Sequence, residues 1–195
     1  DMRFTGENQI GSAIVAKNIN EIFLHNLWID HHGGTGILLD ECYENPRISD
    51  NNISYNAVAG VKVDACHDIV ISGNEFEENG IGIHAANGFN ATVTGNNIDD
   101  HIGVAVQFDN TRGSIISANM IENGQVEHLV LDGRSDGVTV SGNMFRQNRS
   151  KSQIHLKSAN VVDIASNTFE GCGDWAIDVE PGNSNIAISG NTFGQ

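Results

Sequence analysis

An asparagine returns along this chain at Asn26, Asn51, Asn74, Asn96, Asn119, Asn143, Asn167 and Asn191, in steps of 25, 23, 22, 23, 24, 24 and 24 residues. The residues around it repeat as well: Ile71-Ser72-Gly73-Asn74-Glu75-Phe76, Val93-Thr94-Gly95-Asn96-Asn97-Ile98, Val140-Ser141-Gly142-Asn143-Met144-Phe145 and Ile188-Ser189-Gly190-Asn191-Thr192-Phe193. A short unit recurring at this period has no core of its own and buries its apolar side by stacking on the next copy. Each unit reads as three strands. The first is exemplified by Gly36-Ile37-Leu38-Leu39-Asp40, Gly60-Val61-Lys62-Val63-Asp64 and Gly103-Val104-Ala105-Val106-Gln107, and the second by Ile186-Ala187-Ile188. The third follows the asparagine and carries Trp28, Ile53, Phe76, Ile98, Ile121, Phe145, Phe169 or Phe193 two places on. Period-two alternation turns Ile, Val, Leu and Phe inward and Ser, Thr, Asp and Lys outward.

Asparagine suits a bend because it tolerates left-handed backbone, and stacked at ~4.8 Å its amides can bond to one another. No stretch keeps a helical apolar period. The pattern predicts one all-β domain over residues 1–195, a parallel solenoid of about eight coils with an Asn ladder.

The chain has 25 acidic against 10 basic residues, a formal net charge of −15. Phosphate-backbone binding needs clustered Lys and Arg, so nucleic acid is excluded as a partner. The acidity reads as solubility, or as a surface that meets an anionic polymer only where a cation supplies positive charge. There is no apolar run long enough to span a membrane. The pattern opens and closes in mid-unit, which predicts a segment of something longer, or a protomer, such as a homotrimer, whose coil ends are covered by partners or flanking domains. Cys42 and Cys66 follow Asp40 and Asp64 at the same place in successive units. Their spacing admits either a disulfide or two small buried side chains.

These repeats resemble the right-handed parallel β-helix of the pectin-lyase-like superfamily. The resemblance implies a secreted or surface protein acting on polysaccharide, with its groove along the first strand and the turns beside it. Counted along the sequence, the outward residues closing that strand are Ala16, Asp40, Asp64, His84, Gln107, Asp132, Lys157 and Glu180. One step inside lie Ile14, Leu38, Lys62, Gly82, Ala105, Val130, His155 and Asp178. Asp40, Asp64 and His84 form a run on three consecutive coils. Two carboxylates ~5 Å apart share a proton or a cation, calcium being the metal that suits them, or act as a glycosidase pair. The plainer reading is that they cap turns on a solvated face.

The loop Trp28-Ile29-Asp30-His31-His32-Gly33-Gly34-Thr35-Gly36-Ile37 is similar to the Asp-Pro-His loop of mannuronan C5-epimerases. Asp30 and His32 match that family's Asp and His, His31 replaces its Pro, and Leu27 stands where its Tyr would be. The resemblance implies proton abstraction at a uronate C5, in the manner of an epimerase or lyase. Histidine suits the base, and a cation must neutralise the carboxylate, for which Lys62 and Arg47 are candidates. Gln107, Asp132, His155, Asp178 and Trp175 complete the expected substrate contacts, Trp175 either as a sugar-stacking ring or as a lid over its turn. Against an enzyme stands the even coil length, which leaves no loop to wall a cleft. That favours a non-catalytic shaft, adhesin or tail-spike-like carbohydrate-binding segment.

Overall fold

The computed structural model describes residues 2–194, and among them it forms strands and no helix. Three parallel sheets run along one axis. The first sheet stacks Ile14–Lys17, Thr35–Asp40, Ala59–Asp64, Ile81–Ala86, Val106–Asp109, Leu129–Asp132, Ser152–Leu156 and Trp175–Val179. The second also has eight strands, from Phe23–His25 to Ser184–Ser189, and the third has nine, from Met2–Thr5 to Thr192–Phe193. Each strand pairs with its counterpart one coil away, so the core is a set of files. Ile37, Val61, Ile83, Val106, Leu129 and Ile154 are in register along the first sheet and buried. From the third sheet, Phe145, Phe169 and Phe193 stack at 5.0 and 5.3 Å.

The asparagine ladder joins the second sheet to the third. From Asn51 to Asn191 each Nδ2 donates to the next Oδ1 at 2.9–3.1 Å. The same oxygens also accept the backbone N–H of the residue below, as from Asn51 to Asn74 at 3.0 Å. Each Nδ2 further donates to a carbonyl of the preceding coil, Asn96 to Ile71 at 3.0 Å. A buried amide is stable only when so satisfied.

Two expectations change here. Asn26 is not a rung: Trp28 pairs with Asn52, which sets Leu27 level with Asn51, and Asn26 bonds to His25 instead. Hence Ile29, not Trp28, enters the core, and Trp28 is 48% exposed. Nor do the rungs from Asn51 onward make the bend. The residue before each carries the left-handed backbone: Asp50 at φ 56°, Gly73, Gly95 and Gly142 at 65°, Ala118 at 54°. The rungs are kept for their amides. Cys42 and Cys66 are free, buried thiols, the Cys42 N–H donating to Cys66 Sγ at 3.3 Å. Burial pushes the Cys66 thiol up to about 11.

A second file of inward polar residues lines the corner from the third sheet to the first, and the repeat reading missed it. His32, Asn56, Asn79, His101, Gly124 and Asn148 occupy one position, the carbonyls of the first five accepting from the next coil (Ala57, Gly80, Ile102, Gln125, Arg149). The Asn56 N–H and Nδ2 donate to Asn79 Oδ1 at 3.0 and 2.9 Å, and the Asn79 N–H donates to His101 Nδ1 at 3.0 Å. At Gly124 the file has no side chain. His128, just before the strand Leu129–Asp132, fills that level instead, its Nε2 accepting the Gly124 N–H at 3.3 Å. Burial lowers His101 to about 4 and His128 to about 3, so both stay neutral at pH 7.

Candidate functional site

Register decides which outward residues of the first sheet are neighbours. Ile37 is inward, so Leu38 and Asp40 face out, and the pairings carry this along the sheet. One outward file runs Val15, Leu38, Lys62, His84, Gln107, Val130, His155, Asp178. The other runs Lys17, Asp40, Asp64, Ala86, Asp109, Asp132. His84 therefore does not continue the Asp40–Asp64 run; it stands between Lys62 and Gln107. Ala16, expected outward, lies in the core, as does Ala105, while Ile14 pairs with inward Ile37 and packs against it.

Each expected site residue now has definite surroundings. The Asp40 carboxylate is met by Lys17 Nζ at 2.7 Å and that of Asp64 by Asn87 Nδ2 at 2.9 Å. Among the described residues no group of three or more His, Cys, Asp or Glu side chains is arranged to hold a metal ion. Asp30 is 1% exposed and receives Arg3 Nε and Nη2, both at 2.8 Å, and His31 Nδ1 at 3.0 Å. Burial alone would raise its carboxyl, but the hydrogen bonds from Thr5, His31 and Arg3 outweigh it and hold it below the usual range. Arg3 is thus the cation that pairs with Asp30. Arg47 belongs to the second sheet, where its Nη1 donates to the Pro46 and Asp68 carbonyls, both at 3.0 Å. His32 holds the inward corner position of Asn56 and Asn79, and its Nε2 lies 3.3 Å from the Phe4 carbonyl.

The face draws another group together at mid-length. His84 Nε2 lies 2.8 Å from Asp109 Oδ2, across the level where Ala86 has no polar side chain. Gln107 Nε2 donates to the same oxygen at 2.8 Å. A carboxylate only accepts, so His84 Nε2 carries the proton and Nδ1 keeps a lone pair. Among the described residues that Nδ1 has no hydrogen-bond partner, and the side chain is 18% exposed. Lys62, one coil away in the same file, makes no ion pair among the described residues. Asp132 follows Asp109, its Oδ1 accepting the Gly133 N–H at 2.7 Å. A base with a fixed tautomer beside a free cation is an arrangement for taking a proton from a carbon next to a carboxylate.

Farther along, His155 Nε2 lies 2.9 Å from Glu180 and its Nδ1 3.9 Å from Glu127. Lys151 Nζ lies 3.4 Å from Asp178, and Trp175 is 55% exposed. Asp109 and Glu127 escaped the sequence reading. Gly36 directly precedes inward Ile37, but Gly103 stands three residues before inward Val106, so the glycine-led phrase closes at Gln107, two residues short of Asp109.

The sequence profile of a family described as a right-handed beta helix region matches residues 3–88 and again 35–193. No curated protein matches in sequence. Among solved structures, a DFA-IIIase from Arthrobacter chlorophenolicus in complex with GF2 superposes with a TM-score of 0.80 at 14% identity, over 91% of this chain and 50% of its own. A tailspike protein from an Escherichia coli O157:H7 bacteriophage gives 0.68 at 12% identity, over 95% and 34%. The A-module of an Azotobacter vinelandii mannuronan C-5 epimerase gives 0.63 at 15% identity, over 89% and 58%. The chain spans about half the length of these structures or less, and at such identities they share its fold.

Proposed function

This chain belongs to the right-handed β-helix family, and on that scaffold we propose that it acts outside the cell on an acidic polysaccharide laid along the first sheet, taking the C5 proton of a uronate. His84 Nδ1 is the base, Asp109 fixes its tautomer and orientation, and Lys62 neutralises the substrate carboxylate. The observation that carries this is the 2.8 Å His84–Asp109 contact beside an unpaired lysine. Loss of the proton places negative charge on the carboxylate oxygens, where Lys62 stabilises it. Return of a proton to the opposite face inverts C5; departure of the O4 substituent leaves a C4–C5 double bond. The fold shared with a mannuronan epimerase module and a DFA-IIIase supports a carbohydrate substrate. The base lies at His84 in this reading, since Asp30 is sealed by Arg3 and His32 is turned into the corner file.

The test is a panel of polyuronates followed at 235 nm for the unsaturated product and by NMR for C5 inversion. His84→Ala should lower turnover by about 10²–10⁴, and Asp109→Asn and Lys62→Met should each impair it, with the melting temperature nearly unchanged. Full activity in His84→Ala, or inactivity of the wild type on every polyuronate, would favour the second reading, a carbohydrate-binding shaft. That reading is supported by the even coils, which raise no walls around the face.

A further inference from the structure

Three coils beyond His84 in its file, roughly 14 Å by the strand spacing, the same face gathers a second group of different character. Trp175 opens the last strand of the first sheet and pairs in register with Ser152, a small residue. The Trp175 N–H donates to the Lys151 carbonyl at 2.9 Å, and Lys151 Nζ reaches forward to Asp178 at 3.4 Å. On the preceding coil Leu129 pairs with Ile154, so Glu127, two residues before it, lies near the level of Ser152, and its carboxylate is 3.9 Å from His155 Nδ1. Ser152 thus lies between Glu127 on one side and Trp175 on the other. His155 stands against them with Glu127 and Glu180 facing its two ring nitrogens.

We propose that Glu127, His155, Trp175, Asp178 and Glu180 form a binding station for an uncharged sugar ring, so that the polymer served by this face mixes neutral units with uronates. The indole offers a large apolar surface to the C–H side of a pyranose. Carboxylates accept hydrogen bonds from sugar hydroxyls, and charged acceptors make the stronger ones. Three carboxylates with only Lys151 paired among them repel a uronate at this place. At the His84 level, by contrast, Lys62 lies unpaired beside the base. A homopolymer of uronates would meet attraction at one station and repulsion at the other. A chain that alternates charge matches both.

The proposal rests on the polysaccharide reading for the course of the chain along the sheet, and its test does not need catalysis. The protein has two tryptophans, so a Trp28→Phe background reports Trp175 alone. Fluorescence titration and calorimetry would use the pentamers of glucose, mannose and galactose as neutral probes and pentagalacturonate as the charged one. At least one neutral pentamer should perturb the indole and bind more tightly than pentagalacturonate. In that background Trp175→Ala should weaken this binding about tenfold by calorimetry, and Glu180→Gln should weaken it less. Circular dichroism and melting temperature check that each variant is folded. Tighter binding of pentagalacturonate, failure of every neutral pentamer, or indifference to Trp175→Ala in a folded variant would overturn the station. A wild type inactive on every polyuronate, or a fully active His84→Ala, with neutral binding intact would sink the His84 reading and leave the station standing.

Discussion

The two inward polar corners solve one problem in different ways. Between the second and third sheets every rung from Asn51 to Asn191 is the same residue, and each amide is held by the coil above and the coil below. Between the third and first sheets the file passes from Asn56 and Asn79 to His101, then Gly124, then Asn148. Three side-chain atoms are left without partners there: His101 Nε2, His128 Nδ1 and Asn148 Oδ1. In both histidines one ring nitrogen accepts a backbone N–H, from Asn79 and Gly124. The other must then carry the proton, and it has nowhere to place it. The regular corner serves stability alone. The irregular one adjoins the first sheet, and the run from it into that sheet differs between coils, Asn79 to Ile83 being shorter than Asn148 to Ile154.

The same contrast sets how much was legible in the sequence. A uniform ladder repeats in one-letter code, so the parallel solenoid and the rungs from Asn51 onward could be read directly. Its first step misled, because Asn26 lies level with Asp50, and one residue of slip turns Trp28 out and Ile29 in. The face was harder. His84, Lys62, Gln107 and Asp132 were identifiable as outward, but the glycine that opens the phrase does not keep one distance from the inward residue: Gly36 and Gly60 touch it, while Gly80 and Gly103 stand three residues before Ile83 and Val106. Asp109 was therefore lost, and His84 was set beside Asp64 when it belongs beside Lys62. His32 looked like a loop base because nothing local distinguishes it from an inward file residue; only the coil above, with Asn56 and Asn79 at its level, does so.

The largest effect expected from this comparison comes from breaking the uniform ladder. Asn96→Ala removes the acceptor for the Asn74 N–H and Nδ2 and the donor to the Ile71 carbonyl, all buried. Each orphaned group costs about 1–3 kcal/mol, so the loss should be about 4 kcal/mol or more by denaturant unfolding. A change below about 1 kcal/mol would mean that the ladder can relax around a missing rung. It would also remove the distinction between the corners.

The irregular corner should dominate the acid response. The folded pKa values of His101 and His128, about 4 and about 3, lie below the ordinary value of 6.5. The unfolded chain therefore binds more protons in this window. Their contribution to stability is full above pH 6.5 and is lost as pH falls toward 4 and then 3. For His101 alone the loss is on the order of 3 kcal/mol. Unfolding free energies measured from pH 7 to 4.5 should fall steadily, before most carboxylates titrate. A flat profile would show that these rings gain charge in the folded state at little cost.

The smallest effect at neutral pH, and the sharpest test of the contrast, is to make the irregular corner regular. His101→Asn restores at that level the residue found at Asn56 and Asn79. Its Oδ1 would accept the Asn79 N–H now bonded to His101 Nδ1, and also Asn79 Nδ2, as Asn79 itself does for Asn56. Against this stands the lost packing of the imidazole, whose Nε2 lies where a Cβ on Gly82 would be 2.6 Å away. Removing an unpartnered buried N–H is worth about 1–3 kcal/mol, and shrinking a buried side chain costs a comparable amount. At pH 7 the two should nearly cancel, leaving a change within about 1 kcal/mol. Below pH 6.5 they should not. Asparagine does not titrate, so the variant should lose one group's share of the slope, about 1.4 kcal/mol per pH unit, and overtake the wild type as the solution is acidified. If both proteins follow one pH profile, the acid response belongs to His128 or to the surface, and the unpartnered nitrogen of His101 is no liability.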